Sequence, residues 1–261
     1  PAHGLWHYDQ TRGYDQPNTV SPSQMVGVDL NGDGMDELVA AFPGYGLYSY
    51  VPTDGWQWIN NVIPEGMIRY RDGIACDFGA AYGLWLWDES GAWRRINDVD
   101  PDKMIAADID GDGEDELIAG FIGYTDLYIY DDHEPWRSIT TVVPEAMVPL
   151  DKGVVCDFGS AHGLWFYNES EGWKRWFTID PDKMLAVDID SDGEDELVVS
   201  FVGYGLYTYD PVEDRRERIN PELPDAIIAL NRSIAADFGA AYGLWTWSQG
   251  DGWIQWNTVD P

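Results

Sequence analysis

From Asp29 to Glu37 the chain reads D-L-N-G-D-G-M-D-E, and the pattern D-x-[DN]-x-D-G-x-x-E returns from Asp108 to Glu116 and from Asp188 to Glu196. Positions 1, 3, 5 and 9 of each nine-residue stretch carry side-chain oxygen donors. They are Asp29, Asn31, Asp33 and Glu37; Asp108, Asp110, Asp112 and Glu116; and Asp188, Asp190, Asp192 and Glu196. Position 7, held by Met35, Glu114 and Glu194, is expected to add a backbone carbonyl. Gly34, Gly113 and Gly193 at position 6 permit the sharp bend that turns the donors inward. Hard oxygen ligands without His or Cys suit Ca2+, and three sites are expected. Magnesium suits such a loop less, because its octahedron is usually completed by water or phosphate. Asp36, Asp115 and Asp195 at position 8 are expected to point outward, as turn caps or outer partners. The plain alternative is an acidic hairpin that holds no ion, and three copies in one register argue against it.

These loops are not EF-hands. Position 12, where an EF-hand needs a bidentate Glu, is Ala40, Ala119 or Val199. The flanks, such as Leu38 to Phe42 and Leu197 to Phe201, are short apolar runs that read as strands, so each loop joins two strands.

The loop starts lie 79 and 80 residues apart, so the elements that position them repeat as well. A second signal halves that period. Gly-Leu-aromatic steps occur at Gly4, Gly46, Gly83, Gly163, Gly205 and Gly243, and Asp126-Leu127-Tyr128 is a seventh, variant copy. Each half reads as four strands. In 104–146 these are Met104 to Asp108, Glu116 to Phe121, Asp126 to Tyr130 and Trp136 to Val142. No helical pattern of useful length is found. Tandem four-stranded units of about 40 residues predict an all-β fold, a β-propeller in which each sheet buries its faces against its neighbours. The whole chain, 1–261, is expected to be one such domain: a half unit at 1–24, then units 25–66, 67–103, 104–146, 147–183, 184–226 and 227–261. Six complete units plus a half favour seven blades over six.

Composition excludes some partners. With 15 Lys and Arg against 47 Asp and Glu, the formal charge is −32. Such a surface repels phosphate backbones and anionic lipid, so nucleic acid is not an expected partner. No apolar run is long enough to insert in a membrane. The chain begins at Pro1 without a Met or a signal-like stretch, as a processed or excised soluble piece would. Cys76 and Cys156 occupy equivalent places in two repeats, too far apart for a disulfide, and read as buried free thiols.

Other constellations carry less chemistry. Asp77-Phe78-Gly79, Asp157-Phe158-Gly159 and Asp237-Phe238-Gly239 spell a kinase metal motif, but its companion motifs are missing. These Asp side chains are read as caps of the turns that follow. The 14 Trp recur largely in register, as in Trp56, Trp93, Trp136, Trp173 and Trp253, which implies packing. Trp58, Trp87, Trp176, Trp247 and Trp256 are less regular and are candidates for stacking on a sugar. His3, His7, His133 and His162 show no ligand spacing, and no nucleophile, base and orienter set is found, so an enzyme is not expected.

The order of acidic loop, apolar strand and Gly-aromatic strand, as in Asp108-Ile-Asp-Gly-Asp-Gly-Glu-Asp-Glu-Leu-Ile-Ala-Gly-Phe, resembles the FG-GAP or VCBS-type repeats of integrin α-subunit propellers and of many bacterial surface proteins. That resemblance implies a loop joining the two inner strands of a blade and holding calcium. Glu in place of the usual Asp at position 9, and units without any loop, depart from the family pattern. The Trp-rich strands also resemble those of propeller lectins. The expected function is a calcium-stabilised, non-enzymatic binding or adhesion module, secreted or at the cell surface, with a lectin-like sugar-binding activity as its candidate ligand chemistry. The alternatives are a protein interaction scaffold, a designed or recently amplified propeller without an evolved ligand, and a polysaccharide-active enzyme. Candidate partners are a carbohydrate, a protein, or a second copy docking through the incomplete blade.

Overall fold

The computed structural model describes residues 3–9, 13–88, 90–132 and 134–258. His133 lies outside the described residues. Among the described residues, seven antiparallel sheets follow one another along the chain, each with its strands in sequence order. The first has two strands, Leu5–Asp9 and Gly13–Asn18. The other six have four strands each, spanning 24–60, 66–97, 101–140, 146–177, 183–220 and 226–257. The expected half unit and six complete units are therefore present.

Within a sheet the strands differ in what they bury. In the 183–220 sheet the second strand, Glu196–Phe201, is buried at every position, whereas the fourth, Arg215–Asn220, exposes its first four residues. The sequences account for this. ELVVSF is mostly apolar and can face protein on both sides, and RRERIN has too many charges to be covered. ELIAGF, GIACD and GVVCD behave like the former, being buried throughout.

Met104 to Asp108 was expected to open the third complete unit. The observed strand is Pro101–Ala107, which leaves Asp108 free to begin the loop. Glu116–Phe121 agrees with expectation, and the last two strands are Leu127–Asp131 and Glu134–Thr140. Two single-turn helices, Gly159–His162 and Gly239–Tyr242, are an addition that strand periodicity did not predict. Each is closed by the Gly163 or Gly243 amide donating to the Gly159 or Gly239 carbonyl at 2.7 Å. Four residues are too few to show a helical period.

The Gly-Leu-aromatic step has a steric cause. At Gly46 and Gly205, φ is +115° and +100°, and a Cβ would stand 2.3 Å from the Asn60 carbonyl oxygen and 2.2 Å from that of Asn220. The fourth strand thus crosses directly over the start of the third, where the register shifts by one residue. The Asn at that crossing then caps the exit. Amides of Val62, Val99 and Glu222 donate to the side chains of Asn60, Asn97 and Asn220 at 2.9 to 3.0 Å.

The chain packs as two compact units, Pro1–Ala106 with Leu117–Arg137, and Ala107–Glu116 with Ser138–Pro261. In the first, Val39, Ala41 and Leu47 pack against Ile74, Cys76 and Phe78 of the next sheet, and the first strands of those sheets lie side by side. In the second, Val155 and Leu164 meet Leu197, Val199 and Tyr209. Its first strands also run in succession, Ala146–Leu150 beside Lys183–Val187 and that beside Ala226–Leu230. Cys76 and Cys156 are free and buried, as expected, and burial raises the pKa of both thiols.

The recurrent Trp residues staple neighbouring sheets. Trp56 donates through Nε1 to the Pro17 carbonyl at 3.0 Å and Trp136 to that of Ile96 at 3.0 Å. In the other compact unit Trp173 and Trp253 donate to Ile139 and Ile219 at 2.9 and 2.8 Å. Each also meets a Phe edge on, with centroids 5.0 to 5.4 Å apart for Phe42, Phe121, Phe158 and Phe238.

Candidate metal centre

The acidic loops hang between the first two strands of alternate sheets, and their backbone amides converge on their own carboxylates. In the first loop, which belongs to the first compact unit, Asp29 accepts from Gly32 and Asp33 on Oδ1 (2.8 and 3.1 Å) and from Gly34 on Oδ2 (2.8 Å). Asn31 accepts from Asp33, Asp33 from Met35, and Glu37 from Leu30, all at 2.8 to 2.9 Å. The side-chain Nδ2 of Asn31 also donates to Glu37 Oε1 at 2.8 Å.

The other two loops belong to the second compact unit and repeat this wiring. Asp108 accepts from Gly111 and Gly113, Asp110 from Asp112, and Asp112 from Glu114. Asp188 accepts from Ser191, Asp190 from Asp192, and Asp192 from Glu194. The position 9 carboxylates are the buried ones, with Glu37, Glu116 and Glu196 only 2 to 5% exposed. Ile109 and Ile189 donate to Glu116 and Glu196 at 3.0 and 2.7 Å.

Positions 1, 3 and 9 come together. Asp108, Asp110 and Glu116 each place one oxygen within 4.8 Å of the others, and so do Asp188, Asp190 and Glu196. Two oxygens bound at about 2.4 Å to one calcium ion can be no more than about 4.8 Å apart, so these triads have the span of a calcium site. The donor chemistry fits that ion. Asp112 and Asp192 lie outside the triads and are engaged by the position 7 amides. Glu194 pairs through its side chain with Lys152. Of the position 8 residues, Asp36 pairs with Arg69 at 3.1 Å, and the Asp195 amide donates to Asp151.

Two features of the loops were not legible from position 6 alone. Position 4 is also left-handed, with φ of +72° at Gly32, +84° at Gly111 and +71° at Ser191, the last without the freedom of glycine. Glu196 is also held up to about pKa 7. Burial is the main cause, against which the Ile189 amide pulls, with Asp190, Asp210 and Asp192 adding repulsion.

A second type of carboxylate cluster lies in the sheets that lack a loop, and sequence reading missed it. Glu65, Asp77 and Asp100 in the first compact unit place an oxygen each within 4.8 Å of the others, and Glu145, Asp157 and Asp180 do so in the second. Its sequence signal is the recurrence of Glu65 with Glu145 and of Asp100 with Asp180 at the 80-residue period. As expected, Asp77, Asp157 and Asp237 cap turns, accepting the amides of Gly79, Gly159 and Gly239 at 2.7 to 2.8 Å. Burial raises the Asp77 pKa to about 6, opposed by the Gly79 amide and reinforced by Asp100 and Glu65. Asp157 is raised in the same way.

This predicts a pH-dependent effect of Asp77→Asn in EDTA. The folded pKa lies above the unfolded one, so the folded state binds more protons between about pH 4 and 6, and the cost of the ionised Asp77 grows across that window. The variant keeps the oxygen that accepts the Gly79 amide and removes the charge. Its melting temperature should sit near that of the wild type at pH 4 and several degrees above it at pH 7.5. A difference that does not change with pH would contradict the assignment.

The irregular Trp residues divide. Trp58 and Trp256 are exposed, whereas Trp176 and Trp247 are buried. Trp176 stacks flat on Phe166, with centroids 4.7 Å apart. An open aromatic cavity of about 400 Å³ lies elsewhere in the second compact unit, lined by Thr140, Val142, Phe158, His162, Trp165 and Trp173. Its counterpart in the first, about 270 Å³, is lined by Asn18, Val20, Phe42, Tyr45, Tyr48 and Trp56. Among the described residues no helix is long and apolar enough to cross a membrane.

Solved structures with this architecture are β-propellers. The chain is similar to the Dos1 propeller, with a TM-score of 0.59, 11% identity, and coverage of 99% of this chain and 74% of that one. It is similar to BBS1N in its complex with ARL6DN, with a TM-score of 0.56, 12% identity and coverage of 95% and 86%. AztD from Citrobacter koseri gives 0.57, 11%, 99% and 79%. No protein-family model and no curated protein matches the sequence. The fold is therefore an all-β propeller of antiparallel blades.

Proposed function

We propose that this chain is a calcium-stabilised, non-enzymatic β-propeller that acts outside the cytosol as a binding or adhesion module of the FG-GAP or VCBS type. The observation that carries this reading is the set of three oxygen-only hairpins wired alike, two of which bring three carboxylates within 4.8 Å. Calcium would be held by the donors at positions 1, 3, 5 and 9 with the carbonyls of Met35, Glu114 and Glu194, and its contribution there is to neutralise repulsion and close the hairpin. The chain's own residues shape the loop, because its backbone amides fix the carboxylates. BBS1N was solved in complex with ARL6DN, and binding of a protein partner suits this chain as well.

The aromatic cavity with Phe158, His162, Trp165 and Trp173 favours a second reading, carbohydrate binding. An apolar aromatic face covers the apolar side of a pyranose, and polar groups at the rim hold its hydroxyls. A glycan array probed with the full chain, with and without calcium, separates the two. Hits abolished by free sugar and by Trp165→Ala support the lectin. A blank array together with a protein partner recovered by cross-linking supports the interaction module.

A further inference from the structure

The third loop differs from the other two in what lies beside it. The strand Gly205–Asp210 pairs with Glu196–Phe201 through Leu197 and Tyr209, which sets Glu196 and Asp210 as the next residues, opposite one another. Both are buried, at 4 and 3% exposure. Asp210 Oδ1 accepts the Glu213 amide at 2.8 Å, but among the described residues its Oδ2 has no hydrogen-bond donor. The Arg215 guanidinium lies nearby. Its Nη2 stands 3.6 Å from Asp210 Oδ2 and 3.9 Å from Asp190 Oδ2, while its Nε is held by Glu213 at 3.1 Å. Asp210 and the loop residue Asp190 thus both face the Arg215 guanidinium.

A buried carboxylate oxygen without a donor is costly, and a second buried carboxylate across the strand pair adds repulsion. A cation in the space they share relieves both. The equivalent residues elsewhere differ. Val51 carries no charge, and Asp131 is held by Arg71 at 3.3 Å. The first loop has three carboxylates at positions 1, 3, 5 and 9 and the second has four; Asp210 brings the third to five.

We propose that Asp210 completes the Asp188–Glu196 hairpin as an additional carboxylate from a neighbouring strand, making it the tightest of the three cation sites. Arg215 is its resident counter-charge, which an arriving divalent ion must push aside. This rests on the calcium reading above.

Calorimetric titration of the full, EDTA-stripped chain with calcium chloride tests it, using the wild type, Asp210→Asn, Arg215→Ala and Asp188→Asn. Asp210→Asn should weaken one site at least tenfold and leave two unchanged. Asp188→Asn should remove that same site, so that adding Asp210→Asn to it changes nothing further. Arg215→Ala should tighten the site several-fold. Because Arg215 is 42% exposed, that variant decides the matter if Asp210→Asn does not fold. Three sites unaltered by Asp210→Asn, or a site weakened by Arg215→Ala, would overturn the role of Asp210 while leaving the calcium reading intact. A wild type that binds no calcium would overturn both.

Discussion

Stripping divalent ions with EDTA should lower the melting temperature of this protein by about 15 to 30 °C, and calcium in excess should restore it. Each site saturated at 100 times its dissociation constant adds about 2.7 kcal/mol of stability, so three sites add about 8 kcal/mol. For a chain of this size each kcal/mol moves the midpoint by about 2 to 4 °C. The electrostatics give the direction. Asp108, Asp110 and Glu116 place oxygens within 4.8 Å of one another, with Glu116 almost wholly buried, and they repel unless a cation lies among them. Magnesium should restore less, since a loop that encloses its ion with carboxylates conflicts with the water that magnesium retains. Differential scanning calorimetry in EDTA, calcium and magnesium measures all three. Identical melts in EDTA and in calcium would rule out a structural ion.

Gly205→Ala should cost about 3 to 5 kcal/mol, the range of the larger single-site effects. Two costs combine there. The residue sits at φ +100°, outside the range that side chains tolerate, and its Cβ would stand 2.2 Å from the Asn220 carbonyl oxygen and 2.9 Å from Pro221 backbone atoms. Relief requires moving the fourth strand, which breaks the crossing where Leu206 meets Asn220. Gly203→Ala provides the control. It also has positive φ, +80°, but nothing lies within 4 Å of its Cβ, so only the conformational cost of about 1 to 2 kcal/mol remains. Urea unfolding of both variants, in calcium, gives the comparison. Equal losses would show that the carbonyl contact does not matter.

The asymmetry between these two glycines shows where sequence reading stops. Gly205 recurs with Gly46, Gly83, Gly163 and Gly243, and the repeat alone marks it as important. Its reason, a carbonyl from a residue 15 positions later, exists only after the fourth strand has folded back. Asp126 stands in the same step of another repeat, and there the strand begins at Leu127, as it does at Leu84, Leu164 and Leu244 after Gly83, Gly163 and Gly243. The single-turn helices at Gly159–His162 and Gly239–Tyr242 escaped notice for a related reason: one turn leaves no period to read.

The acidic loops were legible because their donors are local. Nine consecutive residues contain the whole motif, so spacing alone names Asp29, Asn31, Asp33 and Glu37 and their counterparts. The repeat of four strands was legible too, since alternation and turn residues are written along the chain, and from them follow a propeller of six complete blades and a half. Tertiary structure decided what lies across strands. It brought Asp100 to Asp77, set Asp210 against Glu196, buried Trp176 and Trp247, and turned Trp136 and Trp173 into staples between sheets. Contacts of that kind depend on register and on which faces meet, and neither is encoded within the few residues that form each element.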